Sequence, residues 1–275
     1  MDYVELNIPL SGDEMGEILT AELADYPFES FTEERGQLKA YIPQDRLADC
    51  KEQVDELLES YSVVGARYIS IETQNWNAQW ESNFEVVEVD REILIRAPFH
   101  SPNPDFRTEV VIMPKMSFGT GHHATTYLMS QKISQIDVKG KRGLDMGSGT
   151  GVLAIIAVKY GAEAVDAIDI DEWADENCRE NIVQNGVESS ITPLLGDASL
   201  IEGRRYDFVL ANINRNILLA DMHRYVATLT EGGTLLMSGF FVDDIETLRQ
   251  KGESLGLSYC GFSERDGWAV MHLTL

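Results

Sequence analysis

Hydrophobic and polar positions follow two different periods along this 275-residue chain, and from residue 143 onward the two periods alternate regularly. Short apolar runs typical of buried strands are separated there by stretches with apolar residues at helical spacing. The runs that predict strands are residues 143–146, 164–171, 191–195, 206–211, 234–238, 257–262 and 268–273. This order predicts a Rossmann-like, doubly wound α/β domain of seven strands, with ligands at the carboxyl ends of the strands. The last two runs follow each other directly, which predicts an antiparallel addition to the parallel sheet.

The first 73 residues show another order of elements. Strands are predicted at residues 3–8, 28–33, 37–42 and 64–72, and helices at residues 11–23 and 44–61. The order β-α-β-β-α-β is that of a small ferredoxin-like α+β domain, which shows no pocket chemistry here and favours a role in recognition. We therefore predict a ferredoxin-like substrate-recognition domain at 1–73 and a connector at 74–82, which contains Trp76 and Trp80. A second domain follows at 83–275 and begins with a β extension.

The second domain is organised around the sequence GLDMGSGTG at residues 143–151. Three alternate glycines, beginning with Gly147, end a strand and open a helix, so that the backbone can turn tightly and approach a ligand. Dinucleotide sites read GxGxxG, but here the third glycine comes one residue early and Val152 fills its place. Asp145 stands two places before the first glycine. The variant resembles motif I of class I S-adenosylmethionine methyltransferases, although a lone turn of this kind is equally typical of a plain strand-to-helix connection.

Two aspartates that follow the next strands are candidate cofactor ligands. Asp169 lies 24 positions after Asp145 at the end of an apolar strand. Dinucleotide folds place an acidic residue in this region to bind ribose hydroxyls. Asp171 is predicted instead to cap the following helix. Asp197 follows the strand at 191–195, where related enzymes hold the adenine amino group, although a turn-forming aspartate is equally expected there.

A second glycine-rich stretch, MSFGTGHHATT at residues 116–126, precedes a helix. Its composition suits a loop that folds over a cofactor, with Phe118 against a ring and Thr126 at the start of the helix. The adjacent residues His122 and His123 do not predict a metal site. No further ligands follow at metal-binding spacing, and neighbouring side chains on an extended chain diverge. We expect no bound metal.

Composition limits the class of protein. Hydrophobic residues make up 44% of the chain and charged residues 25%, which is ordinary for a globular protein. No apolar stretch reaches the roughly 18 residues of a membrane span, and the acidic N-terminus differs from a signal peptide. Three widely spaced cysteines indicate neither a disulfide framework nor a zinc ribbon. We expect a cytoplasmic protein without membrane contact.

The net charge of −24 is unevenly distributed, because residues 1–75 contain 17 acidic and 5 basic residues. An acidic surface repels phosphate backbones, so we expect no direct, stable binding of nucleic acid. The same surface would attract a basic partner, although acidity also serves solubility alone.

Taken together, these motifs resemble the bacterial ribosomal protein L11 methyltransferase family over nearly the full chain. The resemblance rests on FGTGHHATT, GLDMGSGTG, AIDID and VLANIN, together with the ferredoxin-like first domain and the tryptophan-containing connector. The loop FGTGHHATT is the most specific element, because generic methyltransferases lack it. Ala124 departs from the family's usual proline, and Asn214 stands where the family often has an apolar residue.

The resemblance implies an S-adenosylmethionine-dependent enzyme that methylates lysine side-chain amines and the N-terminal amine of a large-subunit ribosomal protein. We expect it to act as a monomer. Asn212 is the expected catalytic residue, since its amide oxygen would accept a hydrogen bond from the acceptor amine; no His or Glu is marked as a base. The predicted cofactor-binding residues are Phe118, Gly119, Thr120, Gly121, Thr126, Asp145, Gly147, Gly149, Asp169, Asp197 and Asn212.

Three other functions compete with this interpretation. A nicotinamide-dependent dehydrogenase is disfavoured by Val152 at the position of the third glycine. A methyltransferase for another basic protein or a small amine would share the same cofactor motifs. A non-catalytic module could bind a ribosomal protein through its acidic surface and keep a vestigial cofactor fold.

Overall fold

The computed structural model describes residues 3–10, 12–34, 36–71, 84–115 and 119–275. The chain forms two compact units, Met1–Asn83 and Phe84–Leu275. The expected helix start at Ser11, the connector tryptophans Trp76 and Trp80, and Phe118 lie outside the described residues.

The first unit contains a four-stranded antiparallel sheet and two helices. Its elements are β1 (Tyr3–Pro9), α1 (Asp13–Leu23), β2 (Ser30–Glu34), β3 (Gln37–Pro43), α2 (Gln44–Ser60) and β4 (Arg67–Ile71). The strand order is β2-β3-β1-β4, so the predicted ferredoxin-like topology is confirmed. Alternate residues of β1, including Leu6 and Ile8, are fully buried, and they pack with Leu19 of α1 and Val54 of α2. The period-two pattern of β1 therefore fixes which face of this sheet receives the helices.

The second unit begins with a small three-stranded sheet. It contains β5 (Val87–Val89), β6 (Ile93–Arg96) and β7 (Thr108–Val111). β5 and β6 form a hairpin across residues 90–92, in which Asp90 and Arg91 take positive φ angles and the Glu92 amide donates to the Val89 carbonyl at 2.9 Å. β7 then pairs with β6 in parallel.

The large sheet of the second unit has seven strands in the order β10-β9-β8-β11-β12-β14-β13. Its elements are α3 (Ala124–Gln135), β8 (Arg142–Met146), α4 (Val152–Lys159), β9 (Ala164–Asp169), α5 (Glu172–Gln184), β10 (Ile191–Leu195), β11 (Tyr206–Asn212), α6 (Arg215–Thr228), β12 (Leu229–Phe241), α7 (Ile245–Ser254), β13 (Ser258–Arg265) and β14 (Trp268–Thr274). Pairing is parallel from β10 to β12, and β14 and β13 add antiparallel strands as predicted. The predicted seven-stranded α/β fold is therefore confirmed.

Alternate side chains of this sheet enter two separate apolar cores. On one face Phe208 and Leu210 pack with residues of α3, α4 and α5; on the other face Val209 and Ala211 pack with residues of α6 and α7. Both faces are covered, which explains why β11 is an almost continuous apolar run. Within the described ranges, no helix combines the length and the apolar character that a membrane crossing requires.

β12 differs from its prediction, because it spans Leu229–Phe241 rather than residues 234–238. Gly232 and Gly233 indicate a turn in isolation. In the fold, however, the Gly232 amide donates to the Leu275 carbonyl at 3.0 Å, and the Leu275 amide donates to the Gly233 carbonyl at 2.9 Å. Pairing with Leu275 therefore extends β12 past the glycines, while the turn itself persists, since Gly232 has a φ of 74° and the register with β11 shifts between Leu229 and Thr234.

Candidate functional site

The turn between β8 and α4 depends on its three glycines. Gly147, Gly149 and Gly151 all have positive φ angles, of 71°, 53° and 78°. A Cβ atom at Gly147 would overlap the Cγ2 atom of Ile213, and one at Gly151 would lie 2.6 Å from the sulfur of Cys178. Glycine is required here both for backbone conformation and for close packing.

Asp169, the last residue of β9, connects this turn to the next strand. Its carboxylate accepts hydrogen bonds from the Gly149 amide at 2.8 Å and from the Asp171 amide at 3.1 Å. Asp171 caps α5 as expected, since its side chain accepts from the amides of Trp173 and Ala174. Asp169 therefore holds the glycine turn in place and also belongs to the wall of a pocket.

That pocket has a volume of about 410 Å³ and lies at the carboxyl ends of the parallel strands. Its size is within the range of about 300–1,000 Å³ typical of small-molecule sites. Five predicted site residues line it together: Gly147, Gly149, Asp169, Asp197 and Asn212. The pocket thus brings together residues from four separate strand ends.

Asn212 contributes an uncommitted acceptor to this pocket. It is the last residue of β11, and its Oδ1 atom is buried without a hydrogen-bond partner among the described residues. A Cβ atom at Gly239 would overlap the backbone carbonyl of Ile213, so the segment beside Asn212 is held closely against β12. An amide oxygen fixed in this way can accept a hydrogen bond from a ligand N–H group.

Asp197 lies in the pocket wall, but its carboxylate already has a structural role. It accepts a hydrogen bond from the Ser199 amide at 2.8 Å and so caps the short 3-10 helix Ala198–Ile201. Hydrogen bonds from Ser199 hold the pKa of Asp197 below its ordinary value. Both interpretations of this aspartate, as a turn residue and as a pocket residue, therefore agree with its position.

Asp145 lies beneath the turn and is not among the residues that line the pocket, so its predicted cofactor contact stays a prediction. It is fully buried, and its carboxylate accepts a hydrogen bond from the Ala154 amide of α4 at 3.0 Å. Burial, and next the nearby charge of Asp169, raise the pKa of Asp145 to about 7, against the opposing hydrogen bond from Ala154. Asp145 therefore positions the first turn of α4.

Within the described part of the loop before α3, the residues at 119–121 touch the glycine turn but are not among those that line the pocket. The Gly119 carbonyl accepts a hydrogen bond from the Thr150 hydroxyl at 2.7 Å. Thr126 is fully buried, and its hydroxyl has no partner among the described residues. The pocket lining does not include Gly119, Thr120, Gly121 or Thr126, so their predicted cofactor contacts stay predictions. His123 and Thr125 line the pocket in their place.

Several pocket residues were not predicted from the sequence. Asp221 and Tyr225 line the pocket from α6, and Trp268 lines it from the start of β14. The spacing of four between Asp221 and Tyr225 places them on one helix face. That spacing was the available signal, but an aromatic residue on an apolar helix face is normally assigned to the core.

The charges of the pocket indicate the kind of ligand that it can hold. Three carboxylates, from Asp169, Asp197 and Asp221, are present among its described lining residues, whereas Lys and Arg are absent from that set. This negatively charged wall favours a ligand with cationic sulfonium and ammonium groups and repels the anionic pyrophosphate of a dinucleotide. The site therefore fits S-adenosylmethionine better than a nicotinamide dinucleotide. Across the part of the chain that the structure describes, no cluster of three or more His, Cys, Asp or Glu could hold a metal ion.

Comparison with known proteins agrees with this geometry. A family model described as ribosomal protein L11 methyltransferase (PrmA) matches residues 14–275. A ribosomal protein L11 methyltransferase of Porphyromonas gingivalis is 45% identical over 264 residues, covering 94% of this chain and 90% of that protein. The protein of the same name from Bacteroides thetaiotaomicron is 41% identical over 281 residues and covers 100% of both chains.

A solved structure gives the same result for the fold. The crystal structure of ribosomal protein L11 methylase from Lactobacillus delbrueckii subsp. bulgaricus has a TM-score of 0.62 and 25% sequence identity to this chain. The similarity covers 69% of this chain and 98% of that one. With the family model matching nearly the whole sequence, the chain belongs to the ribosomal protein L11 methyltransferase family.

Proposed function

We propose that this chain transfers methyl groups from S-adenosylmethionine to amines of a large-subunit ribosomal protein, at lysine side chains and at the N-terminal α-amine. The observation that carries the proposal is one pocket in which a glycine turn, the carboxylate of Asp169 and the unpartnered amide oxygen of Asn212 meet. Membership of the family supports the same enzyme class and substrate.

The residues at the glycine turn would hold the nucleoside part of the cofactor. Asp169 would accept hydrogen bonds from ribose hydroxyls while its carboxylate keeps the Gly149 amide in place. Gly147 belongs to the pocket wall, and its missing Cβ leaves room for Ile213, another residue of that wall. When bound, S-adenosylmethionine supplies an electrophilic methyl group on a sulfonium centre. The protein's task is then to align an amine with that group.

Asn212 would position the acceptor amine. A lysine amine has a free pKa of about 10.4 and is mostly protonated, so it must lose a proton before it can act as a nucleophile. A pocket that removes the amine from water favours its neutral form. The Asn212 Oδ1 atom would then accept a hydrogen bond from the neutral amine and orient its lone pair. We propose that the proton leaves to water.

The first unit would recognise the protein substrate. Positions 1–75 contain 17 acidic and 5 basic residues and so carry half of the net charge of −24 in little more than a quarter of the chain. Such a surface attracts a basic ribosomal protein and disfavours nucleic acid. We accordingly propose a cytoplasmic monomer divided into a recognition domain at 1–73, a connector at 74–82 and a catalytic domain at 83–275.

The test is methyl transfer from radiolabelled S-adenosylmethionine to the purified ribosomal protein, with Asn212→Ala beside the wild type. The matched control is Asn216→Ala, because Asn216 is exposed on α6 and does not line the pocket. We expect Asn212→Ala to lower the rate at least tenfold, since a hydrogen bond of about 1.5 kcal/mol is lost, and Asn216→Ala to have little effect.

Three results would contradict the proposal. Equal rates in both variants would exclude a positioning role for Asn212. Transfer to small amines or to an unrelated basic protein, but not to the ribosomal protein, would assign a different acceptor. Binding of the cofactor without any transfer would indicate the vestigial binding module.

A further inference from the structure

One residue of the pocket wall carries a buried hydroxyl that the function described so far does not use. Tyr225 is fully buried in the second unit, and its hydroxyl has no hydrogen-bond partner among the described residues. The same side chain lines the pocket. Buried polar groups in folded proteins are almost always paired, so this hydroxyl points to a partner supplied by a ligand.

A carboxylate lies one helical turn before this hydroxyl. Asp221 also lines the pocket, and it forms a long ion pair with Arg224, with 3.7 Å between the Arg224 Nε and Asp221 Oδ1 atoms. Burial, and next the charge of Asp221, raise the pKa of Tyr225 above its ordinary value. The hydroxyl therefore stays protonated and is available as a donor, while Asp221 offers an acceptor.

Apolar side chains flank this end of the pocket. Ile170 and Ile217 line it although they are 72% and 40% exposed, and Ala198 belongs to the same apolar cluster as Tyr225. Exposed aliphatic side chains in a pocket wall can cover the faces of a flat ring. The slot thus combines apolar faces with a hydroxyl donor and a carboxylate acceptor.

We propose that Tyr225 and Asp221 recognise the edge of the adenine base, with the Tyr225 hydroxyl donating to a ring nitrogen and the Asp221 carboxylate accepting from the exocyclic amine. This inference rests on the proposed function, because it concerns the nucleoside of the same cofactor. It adds to the predicted role of Asp197, whose carboxylate is already bonded to the Ser199 amide. A 6-oxo purine would place its oxygen against the Asp221 carboxylate and would be rejected.

The first test measures the affinity of the full chain for S-adenosylhomocysteine by calorimetry, in the wild type and in Tyr225→Phe. We expect the Kd to rise about five- to tenfold in Tyr225→Phe, as for the loss of one buried hydrogen bond. The melting temperature of the ligand-free variant should stay unchanged or rise, because the removed hydroxyl has no partner among the described residues.

The matched control is Tyr206→Phe. Tyr206 is also buried, but its hydroxyl donates to the Asp166 carboxylate at 2.7 Å and the residue does not line the pocket. We expect this control to melt at a lower temperature with an unchanged Kd. Tyr225→Phe should thus change the Kd and not lower the melting temperature, whereas Tyr206→Phe should do the reverse. This difference distinguishes ligand recognition by Tyr225 from a role in packing.

The second test compares S-adenosylhomocysteine with S-inosylhomocysteine, in which an oxo group replaces the 6-amino group. The wild type should bind the inosyl compound at least tenfold more weakly, and Asp221→Asn should narrow this difference, because an asparagine amide can donate to an oxo group. This inference alone is overturned if Tyr225→Phe binds S-adenosylhomocysteine as tightly as the wild type does. It is also overturned if the wild type binds S-adenosylhomocysteine and S-inosylhomocysteine equally well. If the wild type binds neither ligand, the proposed function fails as well.

Discussion

The role of Asp169 can be tested by Asp169→Asn, which keeps the shape of the side chain and removes its charge. In the structure one carboxylate accepts hydrogen bonds from two backbone amides, at 2.8 Å from Gly149 and 3.1 Å from Asp171. Asparagine has a single acceptor oxygen, so its NH₂ group must face one of these N–H donors or the incoming ribose. Asp169→Asn therefore weakens both the contact with the ribose and the hydrogen bonds that hold the glycine turn.

The expected loss of affinity follows from the number of charged hydrogen bonds. A hydrogen bond to a charged group contributes about 1.5–3 kcal/mol, and a tenfold change in Kd corresponds to about 1.4 kcal/mol. We therefore expect the Kd for S-adenosylhomocysteine, measured by calorimetry, to rise about ten- to a hundredfold in Asp169→Asn. Stability should also fall, by about 1–2 kcal/mol, because the buried Gly149 amide loses a charged partner.

Asp166→Asn is the matched control from the same strand. The Asp166 carboxylate binds Arg204 at 2.6 Å and the Tyr206 hydroxyl at 2.7 Å, and Asp166 does not line the pocket. We expect this control to lower stability without changing the Kd. An unchanged Kd in Asp169→Asn, or equal losses of affinity in both variants, would refute the assignment of Asp169.

Three further predictions concern the turn, the buried carboxylate and the acidic surface. Gly147→Ala should cost about 1–2 kcal/mol in the free energy of unfolding, measured in urea, because its φ of 71° is unfavourable for alanine and the added methyl would meet Ile213. The pKa of Asp145 is about 7 in the folded protein and 3.8 for an ordinary aspartate, so between these values the folded state holds a proton that the unfolded state has lost. The free energy of unfolding therefore decreases as the pH rises from about 4 to 7. Asp145→Asn should therefore gain stability relative to the wild type across that range in urea titrations. Rising salt should raise the KM for the ribosomal protein while leaving the cofactor Kd nearly constant, because exposed charges are screened beyond about 8 Å at physiological ionic strength.

Each of these has a contrary outcome. Wild-type stability of Gly147→Ala would mean that the turn can relax around a methyl group. A pH-independent difference between wild type and Asp145→Asn would show that Asp145 is ionised throughout. A KM that does not depend on salt would remove the electrostatic argument for the first unit.

The pocket residues that are predictable from the sequence share one property. Gly147, Asp169 and Asn212 stand at the ends of parallel strands, and such ends meet at one edge of a sheet. Strand order and turn composition are therefore sufficient to predict that these three residues lie together. The seven-stranded fold is predictable for the same reason, because its strands and helices alternate clearly along the chain.

Other residues depend on side-chain direction, which spacing does not give. Asp145 is two positions from a pocket glycine, yet its carboxylate points beneath the turn to the Ala154 amide. Tyr225 lies on the buried face of α6, so its helical period indicates core. Only the fold shows that the residue also lines the pocket and that its hydroxyl has no partner among the described residues. Thr126 is predicted at the pocket, but the fold places its neighbours His123 and Thr125, rather than Thr126, in the lining of the cavity.

The most direct test of the proposed activity is the mass of the purified ribosomal protein after incubation with the full chain and S-adenosylmethionine, followed by peptide mapping. We expect mass increments of whole methyl groups, located on lysine side chains and on the N-terminal amine, and their loss in Asn212→Ala. An unchanged mass, with S-adenosylhomocysteine binding demonstrated in the same preparation, would contradict the proposed activity.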